Sequence, residues 1–130
     1  MNSARTMRCP CLSGDVYESC CGPVIAGRSA PSAERLMRSR YTAFAHRDTA
    51  YLLKSWHAST RPETLDLDDS LEWRALEIVS VVQGGPFDSA GTVEFRAHFR
   101  DDGVRGVLHE RSTFVKENTH WFYVDGVISD

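Results

Sequence analysis

Beyond Cys21 the chain has no cysteine. Most of its length therefore has no disulfide to lean on and must be held by a packed core. It also has no run of about 18 apolar residues, which excludes a membrane-crossing helix. No apolar h-region follows Met1, so no secretory signal is read and the cytoplasm is the expected compartment. Neither charge sign dominates: 15 Lys and Arg face 18 Asp and Glu, a net charge of −3. Such a chain has no global field for nucleic acid or an anionic membrane, and neither is expected as a partner. Phosphate-loop, nucleophile-elbow and dinucleotide fingerprints are missing. The five histidines are scattered without ligand spacing, which argues against a histidine metal site. Repeats and low-complexity tracts are missing too.

What is present divides into three. Residues 1–24 are rich in cysteine, glycine and serine and too short for a core. Residues 25–31, "IAGRSAP", read as a linker. Residues 32–130 read as one folded domain, helices first and strands after.

All four thiols lie in "CPCLSGDVYESCCG": Cys9, Cys11, Cys20 and Cys21. Two close pairs joined by a short loop can bring four sulfurs to one tetrahedral centre. In a reducing compartment that pattern reads as metal ligation, with redox-active or unliganded thiols as the alternatives. Zinc suits four thiolates, and iron fits the same set. With four protein ligands no coordination position stays open, so the expected role is structural, and metal binding supplies the folding energy of the segment.

"SAERLMRSRYTAFAHRD" reads as a helix with Ser32 as N-cap and Glu34 in the first turn. Ala33, Leu36, Met37, Tyr41, Ala43 and Phe44 share one broad face, with Arg40 in its middle and Arg38 opposite. "DTAYLLKSWH" is a second helix capped by Asp48, and a short third is expected after Pro62. From residue 72 the period becomes two. "EWRALEIVSVVQ", "TVEFRAHFR", "VRGVLHERSTFVKE" and "HWFYVDG" are strands, with turns at Gly84-Gly85-Pro86, "DDG" and Asn118. The class is α+β, with helices on one face of a curved antiparallel sheet.

The cysteine segment resembles the SEC-C motif, a zinc-binding module. Leu12 replaces a glycine of that motif, and Asp15, Val16, Glu18 and Ser19 stand where lysines are usual, so a basic-motif partner is not carried over. The stretches "LMRSRYTAF", "YLLKSWH", "WRALEIV", "VEFRAHFR" and "HERSTFVKENTHWFYVDG" resemble the YchJ family, also called UPF0225. That resemblance implies an NTF2-like cone behind an N-terminal zinc knuckle, with a cavity at the wide end of the cone. It implies no activity.

A guanidinium facing the core needs an acceptor. Strand alternation puts Leu108, Glu110, Ser112 and Phe114 on the inward face, so Glu110 and Ser112 come within reach of Arg40. Tyr41, Trp56, Trp121 and Tyr123 are further cavity candidates, and His57 is placed near the mouth. Two readings follow for the interior: a buried Arg40–Glu110 ion pair, or a polar cavity where Arg40 binds an anionic or carbonyl group. In the second, Glu110 or His57 could move a proton. The leading expectation for the whole chain is a metal-binding adaptor, more a binder than an enzyme. One Zn2+ folds a knuckle for protein contact on a domain with a small-molecule cavity and the capacity to form a homodimer. The alternatives are an isomerase- or hydrolase-like enzyme working in the cone, and a ribosome- or nucleic-acid-associated factor.

Overall fold

Ser32 starts the long helix as its residue type predicts: its Oγ accepts from the Arg35 amide at 3.2 Å. In the computed structural model, which describes residues 7–129, that helix is α2, Ala33–Ala45. The first six residues of the expected 1–24 unit, and Asp130, lie outside the described range. Before α2 come a 3-10 turn, Tyr17–Ser19, and a short helix α1, Cys21–Ile25. After it comes α3, Thr49–Lys54, where the Asp48 carboxylate accepts from the Tyr51 amide. Arg47, at φ 59°, ends α2 and lets the chain reverse.

The short helix expected after Pro62 does not form. In this segment Leu65 and Leu67 are half-buried while Asp66 and Asp68 are exposed, an alternation of period two. A helix would throw the two leucines about 200° apart, whereas extended chain lets both touch the core.

Four strands form one antiparallel sheet in the order β1-β2-β3-β4, all joined by neighbouring connections: β1 Leu71–Gln83, β2 Ala90–Asp101, β3 Val104–Glu117, β4 His120–Ser129. The β2–β3 turn has Asp102 and Gly103 at φ 50° and 85°, and the β3–β4 turn has Asn118 and Thr119 at 51° and 69°. Two successive positive φ values are the hairpin geometry that "DDG" and Asn118 predict. Register shifts at Trp73/Ala75, Ile78/Ser80 and Thr113/Phe114 bend the long strands. The bend wraps the sheet around α2 and leaves space at one end. The β1–β2 connection closes against the start of α2, where the Ala33 amide donates to Gly84 O at 2.9 Å. A Cβ on Gly91 would collide with the Gly84 backbone there, which explains glycine at 91.

The core runs along both sides of α2. On the sheet side are Leu36, Met37, Val93, Phe95, Ala97 and Phe114. The opposite side, which helical periodicity turns away from that core, is also covered: Ser39 and Thr42 are fully buried. Ser39 Oγ and the Tyr51 hydroxyl of α3 are 2.6 Å apart, and Thr42 Oγ1 lies 3.7 Å from Cys9 Sγ. Arg38 Nη1 donates to Cys11 O at 2.8 Å. The cysteine segment therefore packs on α2 rather than swinging free. Residue 25 belongs to α1 and Ala30 is buried, so "IAGRSAP" is anchored at both of these points while residues 26–28 between them are exposed. Among the described residues no helix is long and apolar enough to cross a membrane.

Candidate functional site

The residues that the sequence singles out gather mainly at the sulfur cluster and at the cavity beside Arg40.

The Cys9 amide donates to Asp15 O, and the Leu12 amide to Cys9 O, folding the first pair into a tight turn. Cys20 and Cys21 stand at the start of α1. The four Sγ atoms all lie within 4.8 Å of one another, and all four side chains are buried. Cys11 and Cys20 are 3.6 Å apart, Cys20 and Cys21 3.9 Å, and no disulfide joins them. A tetrahedron with metal–sulfur bonds of about 2.3 Å has edges of about 3.8 Å, so the cluster has the size of a four-thiolate metal centre. The cluster could hold a metal. Its outer partners fit an anionic group: Arg35 Nη1 donates to Cys20 Sγ at 3.5 Å, and Ser13 Oγ is 3.1 Å from the same sulfur. Hydrogen bonds from Cys11 and Cys21 push the Cys9 thiol far down, and bonds to Cys11 and Cys9, with burial, push Cys21 up.

The cavity lies between α2 and the bent sheet and has a volume of about 160 Å³. Of the eight residues expected there, Arg40, Tyr41, Trp56, Glu110, Ser112 and Tyr123 line it. Met37, Phe44, Trp73, Phe95, Ala97 and Leu108 complete the wall. Phe95 and Ala97 were legible as the inward set of β2, and Met37 and Phe44 as neighbours of Arg40 on its helix face. Trp73 had no signal beyond strand alternation.

Arg40 is 3% exposed. It is not ion-paired with Glu110, contrary to the first reading of the interior. Nη1 donates to Leu52 O at 2.8 Å and to Ser55 Oγ at 2.6 Å. The guanidinium sits over the rings of Tyr123, at 4.5 Å, and Trp56, at 5.2 Å. Its partner is the end of α3, which alternation on β3 could not reveal. Chain pairing builds the aromatic part: the Tyr123 amide donates to Ser55 O and the His57 amide to Tyr123 O, so Trp56 runs beside β4 as a short parallel bridge. Burial takes the Arg40 pKa down to about 10, which leaves it charged at neutral pH. Nε and Nη2 make no hydrogen bond among the described residues.

Glu110 instead accepts from Ser112 Oγ at 2.7 Å. Its carboxylate lies across Gly126 of β4, where a Cβ would displace it. Burial raises the Tyr41 pKa to about 12, and burial followed by the Glu110 charge raises Tyr123 to about 12. Both hydroxyls stay protonated, and neither makes a hydrogen bond among the described residues.

Two expected residues lie elsewhere. His57 points away from the chamber: Nδ1 accepts from the Ser59 amide at 3.1 Å, so Nε2 carries the proton and donates to Glu117 at 2.8 Å. It follows the bridge to β4, which turns successive side chains to opposite sides. Trp121 shares the inward face of β4 but sits toward the turn, where it lines a different cavity. Regular pairing of Trp121 with Lys116 and of Tyr123 with Phe114 sets Trp121 two residues nearer the β3–β4 turn than Tyr123.

A bent four-stranded sheet around a helix, with a four-cysteine module ahead of it, defines a class: an NTF2-like domain carrying a SEC-C motif. Residues 32–126 match the family model described as YchJ, middle NTF2-like domain, and residues 5–23 match the SEC-C motif. The chain belongs to this family, UPF0225. It is 50% identical to a UPF0225 protein of Streptomyces avermitilis over 91% of this chain and 82% of that protein. With one of Streptomyces coelicolor the identity is 48%, over 96% of this chain and 98% of the relative. Among solved structures it is similar to a SEC-C motif containing protein from Rhodopseudomonas palustris, with TM-score 0.84 and 38% identity over 95% of this chain and 100% of that one. A SEC-C motif containing protein from Psychrobacter arcticus gives TM-score 0.77 and 27% identity over 98% and 85%.

Proposed function

We propose that the chain is a metal-stapled binding protein. Zn2+ on Cys9, Cys11, Cys20 and Cys21 folds the knuckle onto α2. The cavity takes up a small molecule with an apolar body and a carboxylate or carbonyl end. The observation that carries this is Arg40: a buried cation without a carboxylate partner, beside a cavity with largely apolar walls. Its idle Nε and Nη2 donors, and the idle hydroxyls of Tyr41 and Tyr123, are suited to an anionic or carbonyl acceptor. A chamber near 160 Å³ has room for about one aromatic ring. Zinc with four thiolates is saturated, so the metal contributes folding and docking and no open position for substrate. Binding is favoured over turnover because His57 is engaged by Glu117 away from the chamber and Glu110 is held by the Ser112 hydroxyl.

The probe pair is benzoate and its neutral analogue benzyl alcohol, titrated into isotope-labelled protein. The expected result is a saturable shift of the Arg40 Nε–H with benzoate, weaker binding of benzyl alcohol, and loss of the preference for benzoate in Arg40→Met. Equal binding of the two by the unaltered protein would refute the reading.

A surface feature favours keeping the adaptor role beside it. Leu12 and Met7, 56% and 61% exposed, stand on the outside of the knuckle and offer apolar contact to a protein partner. Leu12→Ser and Met7→Ser should then reduce capture of a partner without changing benzoate binding.

A further inference from the structure

A second cavity, of about 340 Å³, lies where the knuckle segment meets the domain. Its apolar wall includes Val24 of α1, Leu36 of α2 and Trp121 of β4, while Arg28, Lys54 and His120 supply its charge and polarity. No carboxylate lines it, in a chain where acids outnumber bases. Among the described residues neither Arg28 nor Lys54 has an ion-pair or hydrogen-bond partner. His120 is held in place by Ser29 Oγ, 3.2 Å from Nδ1.

The decisive observation is Trp121. It is 2% exposed, and its Nε1 is the one buried side-chain polar atom without a partner among the described residues. An indole N–H only donates. What it lacks is an acceptor, and the ring that carries it lines a cavity whose unpaired groups are cations. An arriving acceptor would recover the free energy that this unpaired buried donor costs the empty site.

We propose that this cavity binds an oxyanion, a phosphate ester or a carboxylate, carried on a small apolar or aromatic body. Arg28 and Lys54 neutralise the oxyanion, the indole of Trp121 turns to bring its covered Nε1–H to it, and the body packs on Val24, Leu36 and the indole ring. Val24 belongs to the knuckle segment and Arg28 to the linker that follows it, so the site is complete only while both are docked. Ligand and docking therefore stabilise one another. This site is separate from the Arg40 chamber, although Ser55 touches both: it lines this cavity and accepts from Arg40.

The test uses the full-length, metal-loaded protein labelled with nitrogen-15. Inorganic phosphate, phenyl phosphate and phenylacetate are titrated in turn while the Trp121 indole N–H resonance is followed. The expected result is a saturable shift. Tighter binding of phenyl phosphate than of phosphate and phenylacetate assigns a phosphate ester, and tightest binding of phenylacetate assigns a carboxylate. Arg28→Gln with Lys54→Gln, both at exposed positions, should weaken the binding about 100-fold, about 10-fold for each charge-assisted hydrogen bond removed. Trp121→Phe should weaken it about 5-fold or more, read from the remaining amide shifts. No saturable shift with any of the three anions would overturn the proposal. So would binding that is unchanged in the double variant, since that would report ionic strength rather than a site. The benzoate titration of Arg40 should be unaffected by the double variant, so the two cavities fail or succeed independently.

Discussion

Replacing Arg40 by methionine should change stability at pH 7 by no more than about 1 kcal/mol, because two sets of terms nearly cancel. The losses are the bonds from Nη1 to Leu52 O and Ser55 Oγ and the stacking on Tyr123 and Trp56. Two charge-assisted hydrogen bonds at about 1.5 kcal/mol each and about 1 kcal/mol of cation–π attraction come to about 4 kcal/mol. Against this stands the desolvated charge. Burial lowers the pKa from 12.5 to about 10, equivalent to about 3 kcal/mol recovered when the charge is removed. The groups left behind keep partners, since Ser55 Oγ still donates to Tyr51 O at 2.8 Å. Methionine also leaves a polarisable sulfur between two rings. The assay is urea unfolding followed by tryptophan fluorescence. A fall of about 3 kcal/mol or more would refute the reasoning, because that is the order expected when a buried ion pair is broken. The double variant Arg40→Met with Glu110→Leu should show coupling under about 0.5 kcal/mol, as for residues that do not pair.

Other consequences are simpler to check. Leu12 holds φ 63°, a left-handed conformation that costs a side-chain-bearing residue about 1–2 kcal/mol, so Leu12→Gly should raise the thermal midpoint of the metal-loaded protein. Chelation of the metal should release residues 9–25 and expose Thr42. Circular dichroism would keep the sheet signal while the unfolding midpoint falls, and an unchanged midpoint would contradict docking on α2. Stability should decline as pH rises from about 10 toward 12. Tyr41 and Tyr123 reach about 12 in the fold, so the folded chain keeps protons that the unfolded chain releases above its ordinary pKa near 10. Tyr17 and Tyr51 are raised in the same direction, by burial first, whereas Arg40 acts oppositely. Tyr41→Phe with Tyr123→Phe should flatten the decline, and a decline of unchanged slope would contradict the burial argument.

Strands and turns were legible because their signals are local. The alternation of Val93, Phe95 and Ala97 locates β2, and Asp102-Gly103 and Asn118-Thr119 adopt the paired positive φ values of hairpin turns. The helix caps Ser32 and Asp48 were legible for the same reason. The stretch after Pro62 misled because a proline next to polar residues marks a helix start only when apolar spacing supports it. Leu65 and Leu67, two apart, do not. Arg40 was legible as an anomaly on an apolar face, but its partner was not. Carbonyl and ring acceptors have no sequence signature, whereas a carboxylate such as Glu110 does.

The sequence by itself determined that four thiols fall within one short segment, that an α+β domain follows, and that a cation sits on the core face of its long helix. Spacing, periodicity and residue chemistry act within a few residues, so they can be read in order. Only the tertiary structure decided that the cysteine segment lies on α2, that Arg40 is held by the end of α3 and two rings, and that Trp121 faces a second, basic cavity. Each of these depends on which surfaces meet after the sheet bends, and that is set by packing between segments far apart in the chain.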